Sequence, residues 1–333
     1  MNEIPAAGGA AAPAKWPADG PRRRRRRVIT IVIAGAVVIL VGANTAVAIA
    51  VFRASHHEAT AWPGSDFTFW PERDWRHIER RVDVLPDTRR LSTSVIGTVT
   101  YRQGSWPVHL VRSEASHAKG RPLRVLLVSG IHGTETAGPE ALLRMAETLA
   151  ADPGLYPAVT IDIVPMANPW GWVYGYRYNG DGEDVNRDFA SHRTQEARII
   201  QGVFRRDGPF DLMMDLHESK KDGYFIYTYE PEGQGLADEY VKILSAMGKP
   251  RENSYSEWIF PARDGVLSTP RTALLWIAMG RSLSLDHYAR LRGTENSYTI
   301  ETSVRDAFDE RVAVHLRTVN TFITRLAEAR TGR

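Results

Sequence analysis

The segment that most constrains the fold is an apolar run directly before a His-x-x-Glu pair, in the sequence RVLLVSGIHGTETAG of residues 124–138. Residues 125–128 predict a buried strand that ends at a glycine. His132 and Glu135 are three residues apart, and at that spacing on one turn of backbone their side chains project the same way. An imidazole and a carboxylate can then converge on one ion. In the alternative interpretation, His132 begins a helix and Glu135 is a first-turn acid favoured by the helix dipole.

A third ligand is needed for a metal site of this kind. Catalytic zinc is commonly bound by two histidines and one carboxylate, with the fourth position left to water. Residues 210–216 predict a second buried strand, and the segment Asp215-Leu216-His217 at its end supplies the candidates. Asp215 is also a candidate hydrogen-bond partner for a ligating histidine, although on a strand it can equally face away.

Charge is distributed unevenly along the chain of 333 residues, which has a net charge of +3. Residues 1–27 contain seven basic and two acidic side chains, a net of +5, so the remainder carries +3 − 5 = −2. This balance gives no indication of a nucleic-acid surface, and we expect no nucleic-acid partner. An apolar content of 43% is sufficient for a sizeable core in one or two domains.

The amino-terminal part predicts a membrane anchor. Residues 1–27 indicate a disordered basic tail that ends in six arginines, and residues 28–52 contain no charge. A hydrocarbon core of about 30 Å needs about 20 apolar residues, so residues 28–52 are long enough to cross it and to contact membrane lipid. The arginines favour a cytoplasmic tail, which places the rest of the chain outside the cytoplasmic membrane. A cleavable signal peptide with a site near Ala46–Ala48 is the alternative.

The remainder predicts a connector over residues 53–93 and a catalytic domain over residues 94–333. Strand-like and helix-like patterns alternate in the domain, which indicates an α/β fold with a mixed, mainly parallel central sheet flanked by helices. Ligands of such sheets collect where strands end and loops begin. His132, His217 and Glu301 each lie at or just past a predicted strand, which is consistent with one shared site. The predicted strands are 94–101, 108–111, 124–129, 159–164, 210–216, 224–229 and 298–301, and the predicted helices are 139–151, 194–204, 235–247, 270–280 and 310–329.

Residues 168–189 are rich in Gly, Asn, Asp and Arg and predict a long loop without regular structure. Long ordered loops are usually functional. Arg177 and Arg187 are candidates for binding a substrate carboxylate or polarising a carbonyl, because a guanidinium matches a planar carboxylate through two parallel hydrogen bonds. The alternative for either arginine is a surface ion pair with an acidic residue of the same loop: Asp181, Glu183, Asp184 or Asp188.

The order of the segments HGTE, NPWGW, Arg177, DVNRDF, DLHES and TIET resembles the zinc carboxypeptidase (M14) superfamily, including its succinylglutamate desuccinylase/aspartoacylase-like branch. The similarity extends over about residues 123–303. It implies that His132, Glu135 and His217 bind one Zn²⁺ per chain. It also implies that Arg177 faces the scissile carbonyl and that Glu301 is the catalytic carboxylate. Asn186 and Arg187 would bind the carboxylate of the substrate.

The expected activity is that of a zinc-dependent metallocarboxypeptidase, which hydrolyses an amide bond next to a free carboxylate. Its partner would be a peptide. An N-acyl amino-acid deacylase of the desuccinylase/aspartoacylase type is the second hypothesis, with an N-acyl amino acid as substrate. The third is an inactive carboxylate-binding module. Carboxypeptidases also place a tyrosine over the site, and the sequence leaves Tyr255, Tyr288 and Tyr298 as equal candidates.

Overall fold

The fold is described from a computed structural model, which covers residues 73–117, 120–230, 235–257, 260–270, 273 and 282–331 and six positions between residues 29 and 42. Internal contacts divide the chain into two units, Met1–Val51 and Phe52–Arg333.

In the first unit the six described positions are helical, and the rest of the expected anchor, residues 28–52, lies outside the described residues, as does the tail over residues 1–27. Of the helices in the described part of the chain, none is both long and apolar enough to span a bilayer.

The second unit is built on an eight-stranded mixed sheet and a separate two-stranded hairpin. The strands are β1 Leu91–Tyr101, β2 Gly104–Ser113, β3 Leu123–Ser129, β4 Val159–Val164, β5 Leu212–Ser219, β6 Phe225–Thr228, β7 Ser256–Glu257, β8 Phe260–Pro261, β9 Val266–Ser268 and β10 Asn296–Ser303, with β7 and β8 forming the hairpin. The strand order in the sheet is β1-β2-β4-β3-β5-β10-β6-β9. Strands β3, β4, β5 and β10 are mutually parallel, as are β6 and β9, whereas β1, β2 and the β6–β10 pair run antiparallel to their neighbours.

Helices cover both faces of this sheet. The helices are α1 Trp75–Asp83, α2 Ala137–Ala151, α3 Pro169–Tyr174, α4 Gln195–Asp207, α5 Gly235–Ala246, α6 Leu285–Leu291 and α7 Phe308–Thr331. On β10, Ser297 donates a hydrogen bond to the Asp286 carbonyl of α6, whereas Thr302 contacts His315 of α7. Alternate residues of a strand point to opposite faces, so α6 and α7 lie on opposite faces of the sheet. The expected mixed α/β sheet flanked by helices is confirmed.

The central strands are buried because of their sequences. All six residues of β4 and six of the seven residues of β3 are buried, as is typical of parallel strands covered on both faces. A continuous apolar core extends from these strands to α1, whose Trp75, Ile78 and Val82 are buried. The expected boundary between connector and domain at residues 93 and 94 falls inside β1.

The segment over residues 168–189 differs from the loop without regular structure that was expected. It contains α3 and a short 3-10 turn, Val185–Arg187. Asn168 caps α3 by accepting a hydrogen bond from the Gly171 amide, and Gly175 ends the helix in the left-handed conformation. These local end signals outweigh the weak helix preference of the segment. The predicted helix over residues 270–280 lies outside the described residues, apart from residue 273.

Candidate metal centre

The three side chains of the expected metal site lie at the carboxyl ends of two neighbouring parallel strands. His132 and Glu135 lie in the loop between β3 and α2, and His217 lies near the end of β5. Because β3 and β5 are adjacent and parallel, their carboxyl ends meet at one edge of the sheet. All three side chains are buried, with at most 4% of each residue exposed.

The donor atoms of these residues converge on one point. Glu135 lies between the two imidazoles, with Oε1 2.7 Å from His132 Nδ1 and Oε2 2.8 Å from His217 Nδ1. The two Nδ1 atoms are 3.1 Å apart. The structure therefore brings together the three residues that the sequence singles out, through the Nδ1 atom of each histidine.

The opposite nitrogen of each imidazole faces a carboxylate. His217 Nε2 is 2.7 Å from Asp215 Oδ2, and His132 Nε2 is 3.3 Å from Asp184 Oδ1. A carboxylate on Nε2 favours the tautomer that carries its proton there and leaves the Nδ1 lone pair available to a cation. Asp215 is therefore on the same side of β5 as His217, where only one of its two oxygens has a partner among the described residues.

The donor set fits zinc in chemistry and in size. Nitrogen and oxygen donors at about 2.0–2.2 Å from a tetrahedral zinc ion are roughly 3.3 Å from one another. The observed separations between the donors of His132, Glu135 and His217 are 2.7–3.1 Å, so a small outward movement accommodates the ion. Three protein ligands leave one position for water or substrate, as in catalytic rather than structural zinc sites.

The electrostatics of the cluster favour a positive charge between these side chains. Burial opposes the charge on His217, but Asp215 and Glu135 on either side raise its pKa well above the usual range. Burial likewise opposes ionisation of Glu135, yet the adjacent His132 and His217 lower its pKa. Each of these two shifts in pKa favours the charged form of the side chain.

Glu301 lies next to His217 on the adjacent strand. The two residues are paired in the parallel ladder between β10 and β5, so their side chains are on the same face of the sheet. Desolvation is the largest influence and raises the pKa of Glu301 to about 8; His217 acts in the opposite direction, and Glu135 reinforces the increase. Glu301 is therefore a desolvated carboxyl group beside one of the candidate metal ligands.

Arg177 and Asn186 border the same cluster, and Arg187 follows Asn186 in the chain. Arg177 forms ion pairs with Asp184 at 3.2 Å and with Glu135 at 3.5 Å, so the ion pair considered from the sequence exists within the site itself. Asn186 Nδ2 is 3.4 Å from His217 Nε2, and its Oδ1 accepts a hydrogen bond from the Leu285 amide. The partly buried Arg187 donates a hydrogen bond to the Asn186 carbonyl.

A close backbone approach fixes the loop between the first two candidate ligands. A Cβ atom at Gly133 would lie 1.9 Å from the carbonyl carbon of Gly171 in α3, so only glycine fits. Arg73 bridges the same contact, because its Nη1 donates hydrogen bonds to the carbonyls of Gly133 at 2.8 Å and Trp172 at 3.0 Å. The segment that precedes α1 therefore contacts the loop that carries His132 and Glu135 directly.

The three candidate tyrosines have different surroundings. Tyr288 is buried against Phe204 and other aromatic rings, and Tyr298 donates a hydrogen bond to Glu230. Tyr255 is half-buried, and its ring centroid lies 5.3 Å from that of Phe225, which pairs with Glu301 across β6 and β10. Of the three tyrosines, Tyr255 is thus the one whose ring contacts the residue that pairs with Glu301 in the sheet.

Sequence reasoning missed Asp184, Glu218, Arg73 and Arg311. The sequence indicates Asp184 only as a surface ion-pair partner and gives no role to Glu218. The signal for Asp184 is its position two residues before Asn186, where it caps the 3-10 turn. Arg73 and Arg311 are 60 residues from Gly133 and 93 residues from Glu218, so no local pattern indicates these contacts.

The fold and the buried His-Glu-His cluster together are typical of metal-dependent hydrolases of the α/β class. Comparison with known proteins narrows this class. The succinylglutamate desuccinylase/aspartoacylase catalytic-domain family model matches residues 122–251.

Curated relatives are carboxypeptidases. Carboxypeptidase 2 of Trichophyton rubrum is 34% identical over 168 residues, which cover 44% of this chain and 31% of that protein. Carboxypeptidase D of Homo sapiens is 28% identical over 222 residues, which cover 55% of this chain and 16% of that protein. The chain thus spans about a third or less of the length of these relatives.

Solved structures share the fold. A candidate metallopeptidase of Shewanella denitrificans superposes with a TM-score of 0.61 at 22% identity, covering 76% of this chain and 89% of that one. A metallo-carboxypeptidase of Pseudomonas aeruginosa, in complex with (2-guanidinoethylmercapto)succinic acid, superposes with a TM-score of 0.55 at 19% identity, covering 76% and 68%. Together these comparisons support the resemblance of the chain to the zinc carboxypeptidase (M14) superfamily, including its succinylglutamate desuccinylase/aspartoacylase branch.

Proposed function

We propose that this protein is a zinc-dependent carboxypeptidase that hydrolyses the amide bond next to a free carboxylate of a peptide. The observation that carries the proposal is the convergence of His132 Nδ1, His217 Nδ1 and the Glu135 carboxylate within 3.1 Å of one another, beside Glu301. The carboxypeptidase relatives support the peptide as substrate.

The three ligands would hold one zinc ion, with Asp215 and Asp184 fixing the two imidazoles. A zinc ion in this set supplies a Lewis acid for the carbonyl and lowers the pKa of a bound water to about 7. A nearby divalent cation also favours the ionised form of a carboxyl group. Glu301, whose pKa is about 8 in the metal-free protein, would thus become the carboxylate that accepts the proton of the attacking water and delivers it to the leaving nitrogen.

Arg177 and Arg187 would each bind a negatively charged group of the reacting substrate. Arg177 would donate hydrogen bonds to the oxyanion as charge develops on the carbonyl oxygen. Its ion pairs with Asp184 and Glu135 at 3.2 and 3.5 Å hold the guanidinium beside the candidate metal. Asn186 and Arg187 would bind the carboxylate of the substrate, for which the planar guanidinium provides two parallel donors.

An N-acyl amino-acid deacylase is the second candidate, and the match to the succinylglutamate desuccinylase/aspartoacylase model favours it. Its substrate also has an amide next to a free carboxylate. The residue roles are therefore the same in both proposals, and only the group on the acyl side of the scissile bond differs.

Substrate classes and metal content test the proposal together. The purified full-length chain is assayed for zinc and for hydrolysis of a peptide library, a set of N-acyl amino acids, and the same compounds with the carboxylate amidated. We expect about one zinc per chain, cleavage of free-acid peptides, and loss of cleavage on amidation. Cleavage of N-acyl amino acids alone would select the deacylase. Zinc-free, inactive protein that still binds carboxylates would select the inactive binding module.

We also propose, from the sequence alone, that residues 28–52 anchor the chain in the cytoplasmic membrane with the hydrolase outside. Carbonate-washed membranes should retain the intact chain, and protease added to intact cells or spheroplasts should digest the hydrolase but not the arginine-rich tail. A chain found in the soluble fraction with its amino terminus intact would contradict this location. A chain shortened near Ala46–Ala48 would select the signal peptide.

A further inference from the structure

Glu218 connects the two segments that supply the candidate metal ligands. It follows His217 directly, and its backbone amide donates a hydrogen bond of 3.1 Å to Glu135 Oε2. Its side chain reaches the other segment, where Oε2 accepts hydrogen bonds from the amides of Thr136 and Ala137, the latter at 2.9 Å. These two amides come immediately after Glu135 in the chain. One residue thus contacts the carboxylate ligand and the backbone that follows it.

Arg311 of α7 holds the other oxygen of this carboxylate. Its Nη1 donates to Glu218 Oε1, and both side chains are almost completely buried, with 2% and 1% exposed. The Nε of Arg311 has no hydrogen-bond partner among the described residues. The guanidinium is therefore directed at Glu218. Glu218 in turn contacts the loop that carries His132 and Glu135, so Arg311 acts on this loop through Glu218.

Stability alone does not account for a buried pair of this kind. Desolvation of two charges offsets most of their attraction, and apolar side chains of similar volume are often at least as stabilising. An apolar pair, however, would leave the amides of Thr136 and Ala137 without an acceptor at the start of α2. The particular effect of the ion pair is to place an anion where it fixes the backbone next to Glu135.

We propose that Glu218 and Arg311 are positioning residues that set the zinc affinity of the site by holding the His132–Glu135 loop against β5. The inference rests on the proposed zinc site. A ligand set works only when its members are held within about 0.5 Å of the productive geometry. Loss of outer partners of metal ligands typically lowers metal affinity 10–100-fold, and we expect the same range here.

Zinc affinity of metal-free full-length protein, measured by competition with a chromophoric chelator, tests the pair. Glu218→Gln and Arg311→Met should each weaken zinc binding at least 10-fold. Arg311→Lys, which keeps the charge, should lie between these variants and the parent. If Glu218→Gln or Arg311→Met does not yield folded protein, Arg311→Lys is the variant that tests the proposal. A zinc affinity of Arg311→Lys equal to that of the parent would then overturn the proposal.

A second ion pair, with a buried carboxylate and a partly buried arginine, provides the control. Arg112 of β2 binds Asp162 of β4 through two hydrogen bonds of 2.6 and 2.8 Å, and neither residue lies in the metal loop or on β5. Asp162→Asn should lower the melting temperature but leave zinc affinity unchanged. An equal loss of zinc affinity in Asp162→Asn and Glu218→Gln would overturn the proposal. Parent protein that binds no zinc would instead refute the proposed function.

Discussion

The residue whose chemistry depends most on its surroundings is Glu301. Desolvation raises its pKa to about 8 in the metal-free protein, and the paired His217 opposes the shift. A glutamine has the same shape but accepts no proton, and general acid–base catalysis contributes about 10²–10⁴-fold. Glu301→Gln should therefore reduce kcat at least 100-fold while the protein still binds about one zinc per chain.

The exposed Glu295, directly before the same strand, supplies the control for this substitution. Glu295→Gln should leave both kcat and zinc content at the parental values. Full activity in Glu301→Gln would contradict a role for Glu301 as the base, whereas loss of zinc would show that Glu301 helps to bind the metal.

Gly133 makes a prediction about packing rather than about chemistry. The Cβ of Gly133→Ala would meet the backbone of Gly171 at 1.9 Å, and backbone atoms cannot move away as a flexible side chain can. Overpacking of this kind costs about 1–3 kcal/mol or more. Urea unfolding should show that loss, and zinc titration should show weaker binding, because the loop carries His132 and Glu135.

Gly202, inside α4, is the matched site for the same substitution. A Cβ there would meet no atom within 4 Å. Alanine is favoured over glycine in a helix by about 1 kcal/mol, so Gly202→Ala should raise the free energy of unfolding and leave zinc affinity unchanged. Destabilisation by Gly202→Ala as large as that by Gly133→Ala would show that the close approach to Gly171 is not the cause.

For individual residues, the sequence predicts contacts that are local or that belong to a motif. His132, Glu135 and His217 stand out through their spacing and strand context, and the structure brings them together; their role as zinc ligands stays a prediction. The contacts of Arg73 and Arg311 join positions that are far apart in the chain. Such contacts depend on how complete elements pack, and no periodicity of the sequence encodes them.

Among the elements, α7 places a buried histidine behind the site. His315 lies four residues after Arg311, and its Nε2 is 3.2 Å from Thr302 Oγ1. Burial is the main cause that lowers the pKa of His315 to about 3, and the charges of Arg311 and His217 act in the same direction. The folded protein therefore keeps this histidine neutral over a pH range in which the unfolded chain protonates it.

The sign of the pH dependence follows from proton binding. An unfolded histidine titrates near pH 6.5, so between about pH 6.5 and 3 the unfolded state binds the extra proton and stability falls as the pH falls. From pH 7 to pH 5, metal-free parent protein should lose about 2 kcal/mol more of its free energy of unfolding than His315→Gln, which has no titrating ring. Equal losses in urea unfolding would contradict a neutral buried His315.

Element prediction succeeded where apolar periodicity was strong. The strand over residues 159–164 and the helix over residues 235–247 match β4 and α5 to within one residue. It failed in residues 168–189, where α3 is only six residues long and depends on Asn168 and Gly175 as caps. In so short a helix the ends outweigh composition, so a segment rich in Gly and Asn still forms a helical turn.

For the molecule as a whole, the sheet order could not be predicted from the sequence, although the class of fold could. Alternating strand and helix patterns indicate a mixed α/β sheet. The placement of β10 between β5 and β6 instead requires pairing over about 80 residues of chain. This long-range pairing brings Glu301 beside His217, so the site is completed only when the whole sheet has formed.

Because the ligands come together only in the folded sheet, zinc should stabilise the whole second unit. A ligand that binds the native state alone adds RT ln(1 + [L]/Kd), about 2.7 kcal/mol at a free concentration of 100 times Kd, which corresponds to roughly 5–10 °C in a unit of this size. Thermal unfolding of the parent should shift by that amount with zinc and return with chelator. His132→Ala/His217→Ala should not respond to either, whereas His77→Ala/His117→Ala, two histidines outside the cluster, should behave like the parent. A zinc-dependent shift that persists in His132→Ala/His217→Ala would place the stabilising ion elsewhere.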